Sequence, residues 1–165
     1  MNRILFCLCI LMLGMGSVSA QMTMAKRIPP AVEKKVVLNA PAQKVWDYIS
    51  EPANYKKFSG VKSFTCKEKA LNAKIGLTTR SGKQRNQYIS VIDYDRFRIC
   101  YFVTHSDYDG DNQWVYSFDV HPKGEKKCEF VVGVYHGFEA LPEGFKTGIT
   151  QEFNDIITGV SKEFK

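Results

Sequence analysis

The chain has 165 residues, 44% hydrophobic and 24% charged, with 23 Lys+Arg against 17 Asp+Glu and a formal net charge of +6. That length suits one domain with one core, and the balance of apolar and charged residues excludes a wholly disordered chain. An aromatic content of 13% points to a β-rich core or an aromatic pocket.

Residues 1–20 read as a secretory signal. Arg3 supplies a positive start, Ile4 to Met15 an apolar run, and Ser17-Val18-Ser19-Ala20 a small-residue cleavage site. The apolar run is too short for a spanning helix. Export to the periplasm or the outside is therefore expected, with cleavage after Ala20. Residues 21–32 form a polar leader containing Pro29-Pro30, expected to be flexible. Residues 33–165 are read as a single domain.

Within it, Glu33–Leu38 alternates and is rich in Val, which predicts a first strand. Asn39-Ala40-Pro41 breaks the strand, and Pro41 suits the opening of a helix carrying Val45, Trp46, Tyr48 and Ile49 on one stripe. Ser50-Glu51-Pro52 ends that helix and opens a second short one through Tyr55 and Phe58, stopped by Ser59-Gly60. From Val61 the period changes to two. Strands are expected at 61–67, 73–80, 84–93, 96–104, 113–121 and 127–135, separated by turn residues such as Ser81-Gly82 and Pro122-Lys123-Gly124. Short joints between consecutive strands imply an antiparallel meander. Residues 145–164 space Ile149, Phe153, Ile156, Val160 and Phe164 as one apolar stripe of a long helix. Gly148 and Gly159 lower its intrinsic helicity, so packing must hold it.

Alternation also proposes which side chains face inward. The apolar sets are Phe97, Ile99, Tyr101 and Val103; Trp114, Tyr116, Phe118 and Val120; and Cys128, Phe130, Val132 and Val134. Strand 84–93 is ambiguous, because neither of its alternate sets is clearly apolar. Arg80, Arg85 and Asp119 are left off the interior. Tyr101, Trp114, Tyr116, Phe118, Phe130, Phe153 and Ile156 are the candidate ligand-binding residues, the tyrosines and Trp114 joining ring area to a polar tip. The residues leave open whether these rings line a cavity or fill the core.

Catalytic patterns are thin. His105, His121 and His136 fall at strand ends or just beyond them, and no GxSxG, HExxH, phosphate-binding loop or Gly-rich dinucleotide turn occurs. Asp107-Tyr108-Asp109-Gly110-Asp111-Asn112 begins like a calcium loop, but Gly110 stands at the fourth place and Phe118 at the twelfth, so a solvated hairpin loop is the better reading. No catalytic residue, metal or cofactor is assigned. Cys66, Cys100 and Cys128 have no metal-type spacing; one disulfide is possible in an oxidising compartment, yet the sequence chooses no pair, and small buried hydrophobes are the preferred reading. Basic pairs such as Lys34-Lys35 and Lys56-Lys57 are scattered, so no nucleic-acid partner is expected. A monomer or weak dimer fits the single-domain length.

The stretch from Val36-Val37-Leu38-Asn39-Ala40-Pro41 through Val45-Trp46 to Ser50-Glu51-Pro52, Tyr55 and Phe58 resembles the opening of the polyketide cyclase/dehydrase families. These belong to the START-like, birch-pollen-allergen-like (SRPBCC) superfamily. The later order of six strands and a terminal helix matches as well, so the resemblance covers nearly all of 33–165. It implies an α+β helix-grip fold: a curved seven-stranded antiparallel sheet wrapped around a long C-terminal helix, two short helices after the first strand, and a hydrophobic pocket between sheet and helix. Gly76-Leu77-Thr78-Thr79-Arg80 loosely fits a Gly-x-x-x-Arg-like stretch of the family. The export signal sets this chain apart from many cytosolic relatives and argues against acyl carriers or coenzyme A thioesters as partners. Two functions are consistent with the resemblance. One is an exported carrier or sensor of a hydrophobic small molecule or lipid. The other is a polyketide cyclase/dehydratase-like enzyme acting on a similar ligand. The lack of an evident acid/base cluster favours the first.

Overall fold

A computed structural model describes residues 29–104, 114–136 and 143–165. Their elements follow the expected order: β1 (Val32–Leu38), α1 (Ala42–Ile49), α2 (Pro52–Ser59), β2 (Ser63–Cys66), β3 (Lys74–Thr78), β4 (Gln84–Asp93), β5 (Arg98–Thr104), β6 (Trp114–Pro122), β7 (Cys128–His136) and α3 (Glu143–Glu163). The secretory signal, most of the leader, His105 and the Asp107–Asn112 loop lie outside the described residues.

The seven strands form one antiparallel sheet in the order β1-β7-β6-β5-β4-β3-β2. Five of the six pairings join consecutive strands, and the sixth sets β1 beside β7. A register shift between Ile89 and Val91 against β5 adds a bulge at Ser90, whose hydroxyl donates to the Cys100 carbonyl at 3.2 Å. An extra residue on one strand bends it and increases local twist. The sheet curves around α3, which packs along β1 and α2.

The short helices end where their residues dictate. Pro41 precedes α1 at ψ 143°, and Ser50 closes it through its N–H to the Trp46 carbonyl. Glu51 caps α2 by accepting from Ala53 N–H, Pro52 occupies a first-turn position that needs no N–H, and Gly60 leaves the helix at φ 70°. Glycine reaches that left-handed conformation without a Cβ penalty.

The core follows the alternation read from β6 and β7. Trp114, Tyr116, Phe118 and Val120 face inward with Cys128, Phe130, Val132 and Val134, all buried. From α3 come Ile149, Phe153, Ile156 and Val160. Tyr55 joins Phe58, Tyr101 and Phe118 in a ring cluster with centroid spacings of 5.3, 5.7 and 6.1 Å. All three described cysteines are free thiols; Cys100 and Cys128 are buried and Cys66 is half-buried. Among the described residues no helix is long and apolar enough to cross a membrane.

Candidate functional site

The sheet and α3 do not close on each other everywhere. Between the β3–β4 hairpin, β6 and the first half of α3 lies a solvent-connected cavity of about 600 Å³. Its apolar wall is Val61, Trp114, Phe145 and Ile149. Trp114 and Phe145 meet edge to face with centroids 4.5 Å apart. Gly144 and Gly148 open the wall further, because neither has a heavy atom within 4 Å of where a Cβ would stand. At the mouth the exposed Arg80 donates to the half-buried Asp155 at 3.0 Å.

The inner end of the cavity is polar. Arg85 on β4 points inward with its side chain 4% exposed. Its Nη1 donates to Glu152 Oε2 at 2.9 Å and its Nη2 to Glu152 Oε1 at 2.6 Å. Two parallel N–H···O bonds between a guanidinium and a carboxylate are the strongest arrangement open to such a pair. Arg85 Nη1 also donates to Tyr116 Oη at 3.0 Å, and the guanidinium sits 4.9 Å from the Tyr116 ring centroid. The Tyr116 hydroxyl donates weakly to Glu152 Oε2 at 3.5 Å. Burial alone would lower the Arg85 pKa, but Tyr116 and Glu152 around it raise it well above the ordinary value. Burial likewise raises the Tyr116 hydroxyl, against the lowering effect of Arg85. This end of the cavity therefore presents the Arg85–Glu152 ion pair beside a phenol whose ionisation burial opposes.

Arg85 departs from the sequence reading. The inward set on β4 is Arg85, Gln87 and Ile89, so the residue left off the interior is the one at the cavity's inner end. Asp119 is buried but faces the opposite side of the sheet, where it pairs with Arg98 and Ser117. Arg80 reaches the mouth from the β3–β4 turn. Of the seven candidate ligand-binding residues, Trp114 and Tyr116 line the cavity. Tyr101, Phe118, Phe130, Phe153 and Ile156 lie in the packed core behind it. Sequence reasoning passed over Glu152, which stands three residues after Ile149 and four before Ile156, on the edge of the apolar stripe of α3. Among the described residues no group of three or more His, Cys, Asp or Glu gathers to hold a metal.

No protein-family model and no curated protein matches the chain. Solved structures do. A protein from Nitrosospira multiformis is 15% identical, covering 81% of this chain and 95% of its own, with a TM-score of 0.67. The Zhui aromatase/cyclase from Streptomyces sp. R1128 is 14% identical, covering 80% and 91%, with a TM-score of 0.65. Norcoclaurine synthase from Thalictrum flavum, in complex with dopamine and hydroxybenzaldehyde, is 16% identical, covering 81% and 87%, with a TM-score of 0.59. At such identities the likeness shows the fold and leaves activity open. The chain has the fold of these proteins, a curved seven-stranded antiparallel sheet around a C-terminal helix with two short helices after the first strand.

Proposed function

We propose that the chain is an exported binding protein, a carrier or sensor, for an apolar small molecule held between the sheet and α3. The observation that carries this reading is the cavity of about 600 Å³ with an aromatic and aliphatic wall and a polar inner end. Its volume falls within the roughly 300–1,000 Å³ usual for small-molecule sites, and a mostly apolar lining with a few converging polar groups is their common composition. The N-terminal signal pattern supports export. Norcoclaurine synthase, with the same fold, holds dopamine and hydroxybenzaldehyde, which shows that the fold can take up small aromatic compounds.

Binding without turnover is favoured by the state of the polar groups. General acid or base work needs a side chain free to give or take a proton at the ligand. Both oxygens of Glu152 accept from Arg85, and Asp155 is engaged by Arg80. Tyr116 is a phenol, protonated at neutral pH, and burial makes its ionisation harder still. These groups orient a ligand and do not activate it.

The test uses a neutral apolar fluorophore, N-phenyl-1-naphthylamine, titrated into the protein beginning at Gln21. Saturable one-to-one binding that quenches Trp114 emission is expected. Gly148→Leu, which fills open space at the cavity wall, should abolish it. Absence of saturable binding, or binding untouched by Gly148→Leu, would remove the cavity from the account.

A further inference from the structure

The charges around the mouth of the cavity do not balance. Arg80, Lys83 and Arg85 line the cavity as cations, Glu152 and Asp155 as anions. Both carboxylates are already engaged. Glu152 accepts from Arg85 through both oxygens, and Asp155 accepts from Arg80 at 3.0 Å and from Gln151 at 3.3 Å. Lys83 is exposed, and no carboxylate among the described residues lies within ion-pair distance of it. A second such cation joins it. A Cβ on Gly82 would stand 3.7 Å from Lys62 Nζ, so the Lys62 ammonium lies against the turn that carries Arg80 and Lys83. Lys62 too has no carboxylate within ion-pair distance among the described residues. The hydroxyls of Thr79 and Ser81, 2.9 Å apart, line the cavity from the same turn. The mouth thus gathers three cations on and against one turn and sets a single carboxylate among them.

We infer that the molecule held here is an amphiphile, an apolar body ending in one anionic group, with the anion at the mouth against Lys83 and Lys62 and the body along Trp114, Phe145 and Ile149. The inference rests on the binding reading above and specifies its ligand class. Lys83 and Arg85 both line the cavity, two residues apart along an extended chain, so Arg85 stands about 6.7 Å further in. The two levels treat an anion differently. Beside Arg85 the cation is already matched by Glu152, and an anion placed there would be a buried charge without a counter-ion of its own. Beside Lys83 water still reaches and cations are in excess. There the ammonium N–H groups and the Ser81 hydroxyl can donate to the oxygens of a carboxylate or a similar anion. An anion at that level loses little hydration and offsets the repulsion among Lys62, Arg80 and Lys83. An ammonium head group meets the same excess as repulsion, and a neutral alcohol gains no ion pair. The apolar wall selects the body of the ligand, and the charge count at the mouth selects its head.

The experiment compares decanoate, 1-decanol and decylammonium by calorimetry at pH 7 in dilute buffer. It uses the protein beginning at Gln21 and two double variants that remove equal charge: Lys62→Gln/Lys83→Gln at the mouth and Lys126→Gln/Lys127→Gln in the β6–β7 turn. In the wild type decanoate should bind about fivefold more tightly than 1-decanol, the upper range for a solvent-exposed ion pair, and decylammonium more weakly than both. The preference for decanoate should shrink in 1 M salt, where the screening length falls to about 3 Å. Lys62→Gln/Lys83→Gln should bring the ratio of decanoate to 1-decanol affinity to about one, whereas Lys126→Gln/Lys127→Gln should leave that ratio at its wild-type value. Lys83→Glu should reverse the order of decanoate and decylammonium, and serves as the second variant should the mouth double variant fold poorly. Three results would overturn the inference while leaving the binding reading intact: equal affinity for decanoate and 1-decanol, tightest binding of decylammonium, or a decanoate preference that survives loss of the mouth lysines or falls equally with the distant pair. No binding of any of the three compounds would overturn both.

Discussion

Arg85 on β4 and Glu152 on α3 are joined by two parallel hydrogen bonds of 2.9 and 2.6 Å, which tie the sheet to the helix at the inner end of the cavity. Removing only one partner leaves a charge in a poor place. Glu152→Gln strands the Arg85 cation, 4% exposed, and should cost about 3 kcal/mol of stability, the lower end for a broken buried pair because Glu152 itself is 18% exposed. The double variant Arg85→Met/Glu152→Leu should recover most of that loss, since well-packed apolar replacements are often neutral. Urea unfolding of Arg85→Met, Glu152→Leu and the double variant gives the coupling directly. Additive losses would mean that the pair does not act as a unit.

Two glycines of α3 should respond in opposite directions to alanine. A Cβ on Gly159 would stand 2.7 Å from Phe58 Cα and closer still to the Phe58 carbonyl oxygen, so α2 and α3 would have to separate. Gly159→Ala should destabilise by about 2 kcal/mol, overpacking outweighing the helix propensity gained. Gly148 has open space around it, and Gly148→Ala should stabilise by up to about 1 kcal/mol while adding a methyl group to the cavity wall. Thermal unfolding of both variants checks the contrast.

How far the sequence carried depends on where the apolar residues lie. On β6 and β7 every inward position is a hydrophobe, so alternation alone gave the phase, and the stripe Ile149, Phe153, Ile156 and Val160 did the same for α3. On β4 the inward set is Arg85, Gln87 and Ile89, and no hydrophobicity pattern can phase a strand whose buried residues are polar. What holds Arg85 inside is Glu152, 67 residues further along the chain. That information is tertiary. The division of the candidate rings had the same origin. Phe118 and Phe130 look no different from Trp114 and Tyr116 along a strand; Tyr55 and Phe58, far off in sequence, cover Phe118, whereas Trp114 and Tyr116 line the cavity that Gly144 and Gly148 also line.

Alkaline pH should unfold the protein through its buried phenols. Burial raises the pKa of Tyr55, Tyr101 and Tyr116 above the ordinary 10.0, for Tyr55 to about 12. Above pH of about 10 the unfolded chain loses these protons while the folded chain keeps them. Their contribution is therefore complete below that pH and is lost as pH rises through the folded values. Ultraviolet difference spectroscopy should show these tyrosines ionising only with unfolding, and Tyr116→Phe should make the fall of stability with pH shallower. Reversible ionisation of all tyrosines together near the ordinary value would contradict this.

The two tryptophans separate binding from folding. Trp46 lies in the core against Phe97, with centroids 6.1 Å apart, whereas Trp114 lines the cavity. Ligand-induced changes in tryptophan emission should persist in Trp46→Phe and vanish in Trp114→Phe. The reverse pattern would place the ligand elsewhere.

Export has its own check. Expressed with its leader, the protein recovered outside the cytoplasm should have the mass of a chain beginning at Gln21. A cytoplasmic protein retaining Met1–Ala20 would contradict the secretory reading.

The most direct test of the account is native mass spectrometry of the mature protein purified from its natural compartment, beside Gly148→Leu prepared in the same way. A reproducible added mass from one small, largely apolar compound, absent from Gly148→Leu, is the predicted result. A bare protein mass in both samples, together with no uptake of the neutral fluorophore, would contradict the claim that this cavity exists to hold a ligand.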